Sequence, residues 1–180
     1  MVRKKVYTKD QILKSSYNIV LKEGFSGITA RNVADKMGIS TQPIYLEFSN
    51  MDDLKVNLLK MMHSRLEKNY YVNCAVDDPI IDFGLNVINL AKNDSKLFMH
   101  LYIDHHGYGE LLNQLTLSVF EKQLSQAQKY LGLEKETIIE IYEKIWITAA
   151  GLATLLASDA ISLSDKAVNS LLKEAVEKYL

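Results

Sequence analysis

The chain has 180 residues, 48% of them hydrophobic and 24% charged, with two prolines, eight glycines and one cysteine. That length can bury a real core, and the balance excludes intrinsic disorder, an intramolecular disulfide framework and a cysteine-built zinc site. The net charge of −1 conceals a division: residues 1–50 sum to +4 and the remainder to −5, a basic head on an acidic body that fits nucleic-acid binding.

The first residues, MVRKKVYTKD, are basic, but no apolar stretch follows as in a secretory signal. The longest apolar candidate, Ile145 to Ala157, is too short to span a bilayer. A cytoplasmic protein is expected.

Thr8-Lys9-Asp10-Gln11 has the form of a capping box and predicts a helix from about Lys9 to Glu23, with Ile12, Leu13, Ile19 and Val20 at helical spacing. Gly24 can end it in a left-handed conformation, with Phe25 folding back on its last turn. Thr29 caps a short helix, Ala30 to Met37, which Gly38 stops. Ser40 can cap the next helix. Pro43 then falls in the first turn, where a missing N–H costs little. Ser49 or Asn50 caps a long helix to about Tyr71, with Asp52 and Asp53 suited to its positive end. Cys74 is a small residue in an unremarkable position.

Asp78-Pro79 opens a helix to about Lys92. Another starts at Asp94 or Ser95, reaches His106 and ends in Gly107-Tyr108-Gly109. Glu110 to Tyr130 forms a long amphipathic helix closed by Gly132, and Lys135 to Ser158 and Ser164 to Leu180 complete the chain. The expected fold is all-α with about nine helices: a three-helix head over 1–50 and a larger helical body over 51–180.

Ala34, Gly38 and Ile44 stand at the spacing of a helix-turn-helix. The alanine permits close approach, the glycine makes the turn, and Ile39 and Ile44 anchor the second helix. The short polar residues at that helix's start suit projection into a major groove.

The segment EGFSGITARNVADKMGISTQPIYLEF resembles the DNA-binding head of TetR-type transcriptional regulators. It matches at Gly24-Phe25, Ile28-Thr29, Arg31, Val33-Ala34, Gly38-Ile39-Ser40, Ile44-Tyr45, Phe48 and Leu54 without insertion, over about residues 8–56. Beyond residue 60 the resemblance is one of helical pattern.

By this resemblance, Ser40, Thr41, Gln42 and Pro43 face base edges or the adjacent phosphates. Gln42 suits a bidentate contact with adenine, and Thr41 and Pro43 suit thymine methyls. Tyr45 places its phenol on a phosphate while its ring packs in the head. Arg31 reaches a guanine or a phosphate, Thr29 offers its hydroxyl or N–H to the backbone, and Lys4 and Lys5 follow the DNA as an arm. Glu47 and Met51 depart from the family pattern, which has an aromatic or histidine at the first position and commonly a lysine at the second. A carboxylate facing phosphates lowers affinity.

In the body, Val168, Leu171, Leu172, Ala175, Val176 and Tyr179 form one stripe on the final helix. Ala149, Gly151, Leu152, Ala153 and Leu156 belong to a neighbour that is apolar nearly all round. These two helices read as a dimer interface, or alternatively as a monomer's core; a two-fold dimer implies a palindromic operator. Met61, Met62, Phe83, Phe98, Met99, Tyr102, Phe120 and Tyr142, with Tyr70 and Tyr71, suit the effector pocket that the resemblance implies. His100, His105, Asn113 and Gln114 are its polar handles. His100 and Asp104, four residues apart, could hold a metal, but no further ligand pattern accompanies them, and an exposed helix end fits better.

The reading is a homodimeric, DNA-binding regulator, a repressor released from its operator by a small-molecule effector. An activator would have the same sequence. The alternative keeps the fold without ligand control and acts through a protein partner. A metal-dependent enzyme at His100 and Asp104 is the third reading; no nucleophile–base pair supports it. Neither a metal nor a cofactor is expected.

Overall fold

The computed structural model describes residues 7–71 and 78–177. Lys4, Lys5, Cys74 and Tyr179 lie outside the described residues. Among those described there are nine α-helices and no strand.

Helix α1 (Lys9–Glu23) opens with the expected capping box: the Gln11 N–H donates to the Thr8 hydroxyl and the Thr8 N–H to the Gln11 side chain, at 3.3 and 3.0 Å. Its inner face buries Ile12, Leu13, Ile19 and Val20. Gly24 ends it at φ 69°, and Phe25–Gly27 form a 3₁₀ turn. Phe25 goes to the body, where its ring lies 4.9 Å from that of His106 and 6.0 Å from that of Tyr108.

Helix α2 (Ala30–Met37) is capped by the Thr29 hydroxyl, which accepts from the Asn32 N–H at 3.1 Å. It closes in a Schellman motif. Gly38 stands at φ 65°, ψ 39°, the Ile39 N–H reaches the Ala34 carbonyl at 3.0 Å, and the Gly38 N–H reaches that of Asp35 at 3.2 Å. A side chain at Gly38 would be strained in this left-handed conformation.

Helix α3 (Gln42–Glu47) starts one residue later than a Ser40 cap requires. The reason lies in Pro43. A Ser40 N-cap would make Pro43 the third helical residue, and proline has no N–H to give the serine hydroxyl. The helix starts instead on the Ile44 N–H, which donates to the Thr41 carbonyl at 3.1 Å. Thr41 makes no side-chain bond across the cap.

Helix α4 (Met51–Leu66) is capped by Asn50, whose side chain accepts from the Asp53 N–H at 2.8 Å. The Asp53 carboxylate accepts in turn from the Ser49 N–H and hydroxyl, which holds the carboxyl below its ordinary range. A π-helical turn, Glu67–Tyr71, extends this helix.

Helix α5 (Pro79–Asn93), capped by Asp78, is buried along most of its length between the last two helices and the rest of the body. Helix α6 (Ser95–Phe98) passes into a second π turn, Met99–Ile103, and ends there, short of the expected His106. At its end Asp104 is extended, and its carboxylate Oδ2 lies 2.7 Å from Nδ1 of His100.

Helix α7 (Gly109–Ser125) likewise stops before the expected Tyr130. Tyr130 ends a 3₁₀ turn, and its hydroxyl donates to both carboxylate oxygens of Asp78, at 2.9 and 2.8 Å, drawing the chain across to the start of α5. Helix α8 (Lys135–Ala157) and helix α9 (Asp165–Val176, capped by Ser164) complete the body. Gly84 of α5 lets these two close in. A Cβ there would lie 3.0 Å from a Leu172 methyl and 3.1 Å from the Ile145 Cδ1.

Candidate DNA-reading face and ligand cavity

Ile44 and Phe48 bury the inner side of α3. Its outer side carries Ser40, Thr41, Gln42 and Glu47, all exposed, with Pro43 half-buried. Tyr45 is 52% exposed, so the ring expected to pack within the head is available to a ligand along much of its surface. Leu46, which the sequence reading passed over, is 75% exposed and stands four residues after Gln42, on the same side of the helix. The signal was present: a leucine between Ile44 and Phe48 that neither anchor's spacing takes into the core.

The Arg31 side chain is 89% exposed and 3.8 Å from Asp35, a long surface pair that leaves the guanidinium accessible. The Thr29 hydroxyl is occupied as an acceptor in its cap. Met51 is half-buried against the core, so this position has become part of the packing.

The dimer-interface set divides. Ala149, Leu152, Ala153, Val168, Leu172 and Val176 are buried within the chain itself, mostly where α8 and α9 close on α5. Their stripe is the protomer's own core, the alternative weighed from sequence. Gly151 and Leu171 are exposed, and Leu156 and Ala175 half-buried. The outward face of α8 is Ile147, Gly151 and Leu155, four residues apart, with Ile147 67% exposed. Nothing lies within 4 Å of where a Gly151 Cβ would sit.

The pocket set divides in the same way. Met62, Phe83, Phe98, Phe120 and Tyr142 are buried core. Phe83 is the hub, its ring 5.5 Å from Tyr71, 5.1 Å from Phe120 and 5.9 Å from Tyr142. Met61 is half-buried, and Met99 and Gln114 are exposed.

A cavity of about 470 Å³ lies beside this cluster, between the end of α6, the loop before α7, the first turns of α7, and α8. Tyr102 and Asn113 line it, as does His105, while His100 stands behind its wall on Asp104. Trp146, Leu112 and Thr116 line it too and were not anticipated. Trp146 follows Tyr142 by four residues on α8, and their rings are parallel to within 9°. That spacing was the available clue. The Trp146 ring meets the Tyr102 ring edge-on at 4.8 Å.

Three of its lining residues, Tyr102, Thr116 and Asn113, engage polar groups that lie behind the lining. The Tyr71 and Tyr102 hydroxyls are 3.4 Å apart, and burial pushes both phenols up, Tyr71 furthest. The Thr116 hydroxyl donates to the Leu112 carbonyl at 2.8 Å and stands 3.5 Å from Nε2 of His63. Burial lowers the His63 imidazole, with Glu67 opposing. The Tyr142 hydroxyl donates to Oδ1 of Asn113 at 2.7 Å. Among the described residues no three His, Cys, Asp or Glu side chains converge as metal ligands.

The cavity's outer wall, residues 104–107, is also the body's contact with the head. A Cβ on Gly24 would lie 3.2 Å from Nδ1 of His100 and 3.4 Å from Oδ2 of Asp104. His106 bonds to the Leu101 carbonyl through Nε2 at 2.7 Å and accepts from the Tyr108 N–H at Nδ1, 3.1 Å. Its ring packs on Phe25.

An N-terminal helix-turn-helix on an all-helical body is the fold of the TetR-type regulators, and solved structures agree. A TetR-family transcriptional regulator from Vibrio parahaemolyticus superposes with TM-score 0.66 at 19% identity, over 94% of this chain and 97% of that one. The flavonoid-responsive regulator FrrA gives 0.64 at 16%, over 96% and 94%. FadR of Bacillus subtilis, solved with stearoyl-CoA, gives 0.56 at 17%, over 94% and 96%. No protein-family model and no curated sequence matches the chain. Among the described residues no helix is long and apolar enough to cross a membrane.

Proposed function

We propose that this chain is a homodimeric transcriptional regulator, a repressor that a small-molecule effector releases from a palindromic operator. One observation carries the reading: residues 104–107 wall the cavity on one side and meet Gly24 and Phe25 of the head on the other. A ligand that prefers one arrangement of that wall biases the head as well, and this differential affinity is all that a switch requires.

The exposed tip of α3 supports base reading by Gln42 and Thr41, with Tyr45 on a phosphate. The outward stripe of Ile147, Gly151 and Leu155, with Leu171 beside it, supports pairing through α8 and α9. A two-fold pair reads half-sites about 34–36 Å apart, so a small change in head spacing breaks simultaneous contact.

The test is fluorescence anisotropy with DNA from upstream of the protein's own gene, titrated against salt. Tight dimeric binding with a steep salt slope, lost in Gln42→Ala and weakened in Tyr45→Phe, supports the reading. Binding no tighter than to random DNA refutes it for that operator. Exposed Glu47 on α3 favours a second reading, a regulator acting through a protein partner without ligand control. A stable protein complex, with DNA binding indifferent to any cavity ligand, would select it.

A further inference from the structure

The chemistry of the cavity wall narrows what it can hold. Among its twelve lining residues Asp104 is the only Asp, Glu, Lys or Arg. No ammonium or guanidinium lines it to balance a carboxylate, sulfate or phosphate, and the imidazole of His105 stands exposed to solvent. An anion would leave water for a site whose one full charge repels it. The Asp104 side chain is 46% exposed and engages His100 through Oδ2 alone. His106 has both ring nitrogens engaged within the chain.

The apolar surface is aromatic. Trp146 and Tyr102 both line the cavity, and aromatic rings attract cations. Opposite them Asn113 accepts from Tyr142 through Oδ1, so its amide N–H groups remain to donate. Resting on the reading of this cavity as the effector site, we infer that its ligand is a cationic aromatic molecule: a planar ring system carrying a protonated amine. The ring lies against Trp146 and Tyr102, the ammonium pairs with Asp104, and a ring acceptor takes the Asn113 amide.

The same geometry supplies a consequence for the head. The ammonium and His100 compete for one carboxylate, and that His–Asp pair is what Gly24 packs against at the end of α1. A cation drawing Asp104 inward removes one of the two side chains that Gly24 packs against, whereas a neutral ligand leaves the pair intact.

Isothermal titration calorimetry on the full-length chain tests this with three probes of one shape: 2-naphthylmethylamine, 2-naphthalenemethanol and 2-naphthoate. The amine is expected to bind about tenfold or more tighter than the alcohol, with naphthoate weakest. Asp104→Asn, which keeps an oxygen for His100, should remove the amine's advantage and leave the alcohol within about twofold; a thermal melt verifies that the variant is folded. Alcohol or naphthoate binding as tightly as the amine overturns the inference. So does amine binding unchanged by Asp104→Asn, or no binding of any probe at about 1 mM. Operator anisotropy on the same preparation separates the two readings. Retained DNA binding with a failed probe series refutes the ligand class alone, and amine selectivity without operator binding supports the ligand class while the regulator reading fails.

Discussion

The hydroxyl of Tyr108 donates to Oδ1 of Asp52 at 2.6 Å, tying the loop before α7 to the first turn of α4. Its ring packs beside those of Phe25 and His106, at 6.0 and 5.9 Å. One side chain thus touches the head, the head-proximal end of α4 and the wall of the cavity.

Tyr108→Phe removes the bond and keeps the ring. A loss of about 0.5–1 kcal/mol in denaturant unfolding is expected, small because the pair is largely solvated. Burial, then the bond to Asp52, pushes the Tyr108 phenol up to about 12. Its contribution is therefore complete below about pH 10, the unfolded value, and is lost as pH rises through the folded one. Ultraviolet titration of wild type against the variant measures the late-ionising phenol directly.

His63 gives the opposite dependence. Burial in the chain lowers its imidazole, so the unfolded state binds a proton that the folded state resists. Its share of stability is present above about pH 6.5 and falls as pH drops toward the folded value. In His63→Gln, chemical denaturation between pH 7 and 5 should show a flatter decline than in wild type. An equal decline would mean that other groups carry the acid sensitivity.

Gly84→Ala places a methyl against Leu172 and Ile145 at the closest approach of α5 to the last two helices. Ordinary overpacking costs about 1–3 kcal/mol. The gain in helix propensity, about 1 kcal/mol, offsets part of it. The net effect is a lower melting temperature, which differential scanning calorimetry would register.

Gly151→Leu sets the same chemistry in open space. With nothing within 4 Å of the new Cβ, the protomer should keep or slightly raise its stability. A leucine on the outward stripe would nevertheless hold two copies of α8 apart. On the proposed pairing through α8, sedimentation velocity should show the variant as a monomer where the wild-type chain pairs; a variant that pairs equally well would move the proposed interface elsewhere.

Gln42→Ala tests the head apart from these. A bidentate contact with adenine carries about 1–3 kcal/mol of discrimination. The variant should lose about tenfold or more in specific affinity while its salt slope stays close to wild type, because no phosphate charge has been removed.

Helix boundaries set by short-range bonds were legible in the sequence. Thr8 with Gln11, Thr29 with Asn32, Gly38 with Ala34, and Asp78 before Pro79 all act within five residues. The misses came where a distant group intervened. Tyr130 ended α7 early by reaching Asp78, and the expected Ser40 cap failed on the missing N–H of Pro43. Apolar periodicity on α8 and α9 reported burial faithfully but could not name the burying surface. For Leu172 that surface is the bare backbone of Gly84, a residue far away in sequence. The cavity joins the stretch 101–116 to Trp146 from far along the chain, so in sequence Trp146 looked like one more member of an apolar run.

The two π turns, at 67–71 and 99–103, each contain one of the tyrosines whose hydroxyls meet at 3.4 Å. A π turn is a helix carrying one residue too many, a dislocation in its winding. Removing a residue from either would restore the ordinary winding and carry its tyrosine away from the other. The phenol pair therefore marks where two surplus residues, one per helix, have been lodged side by side.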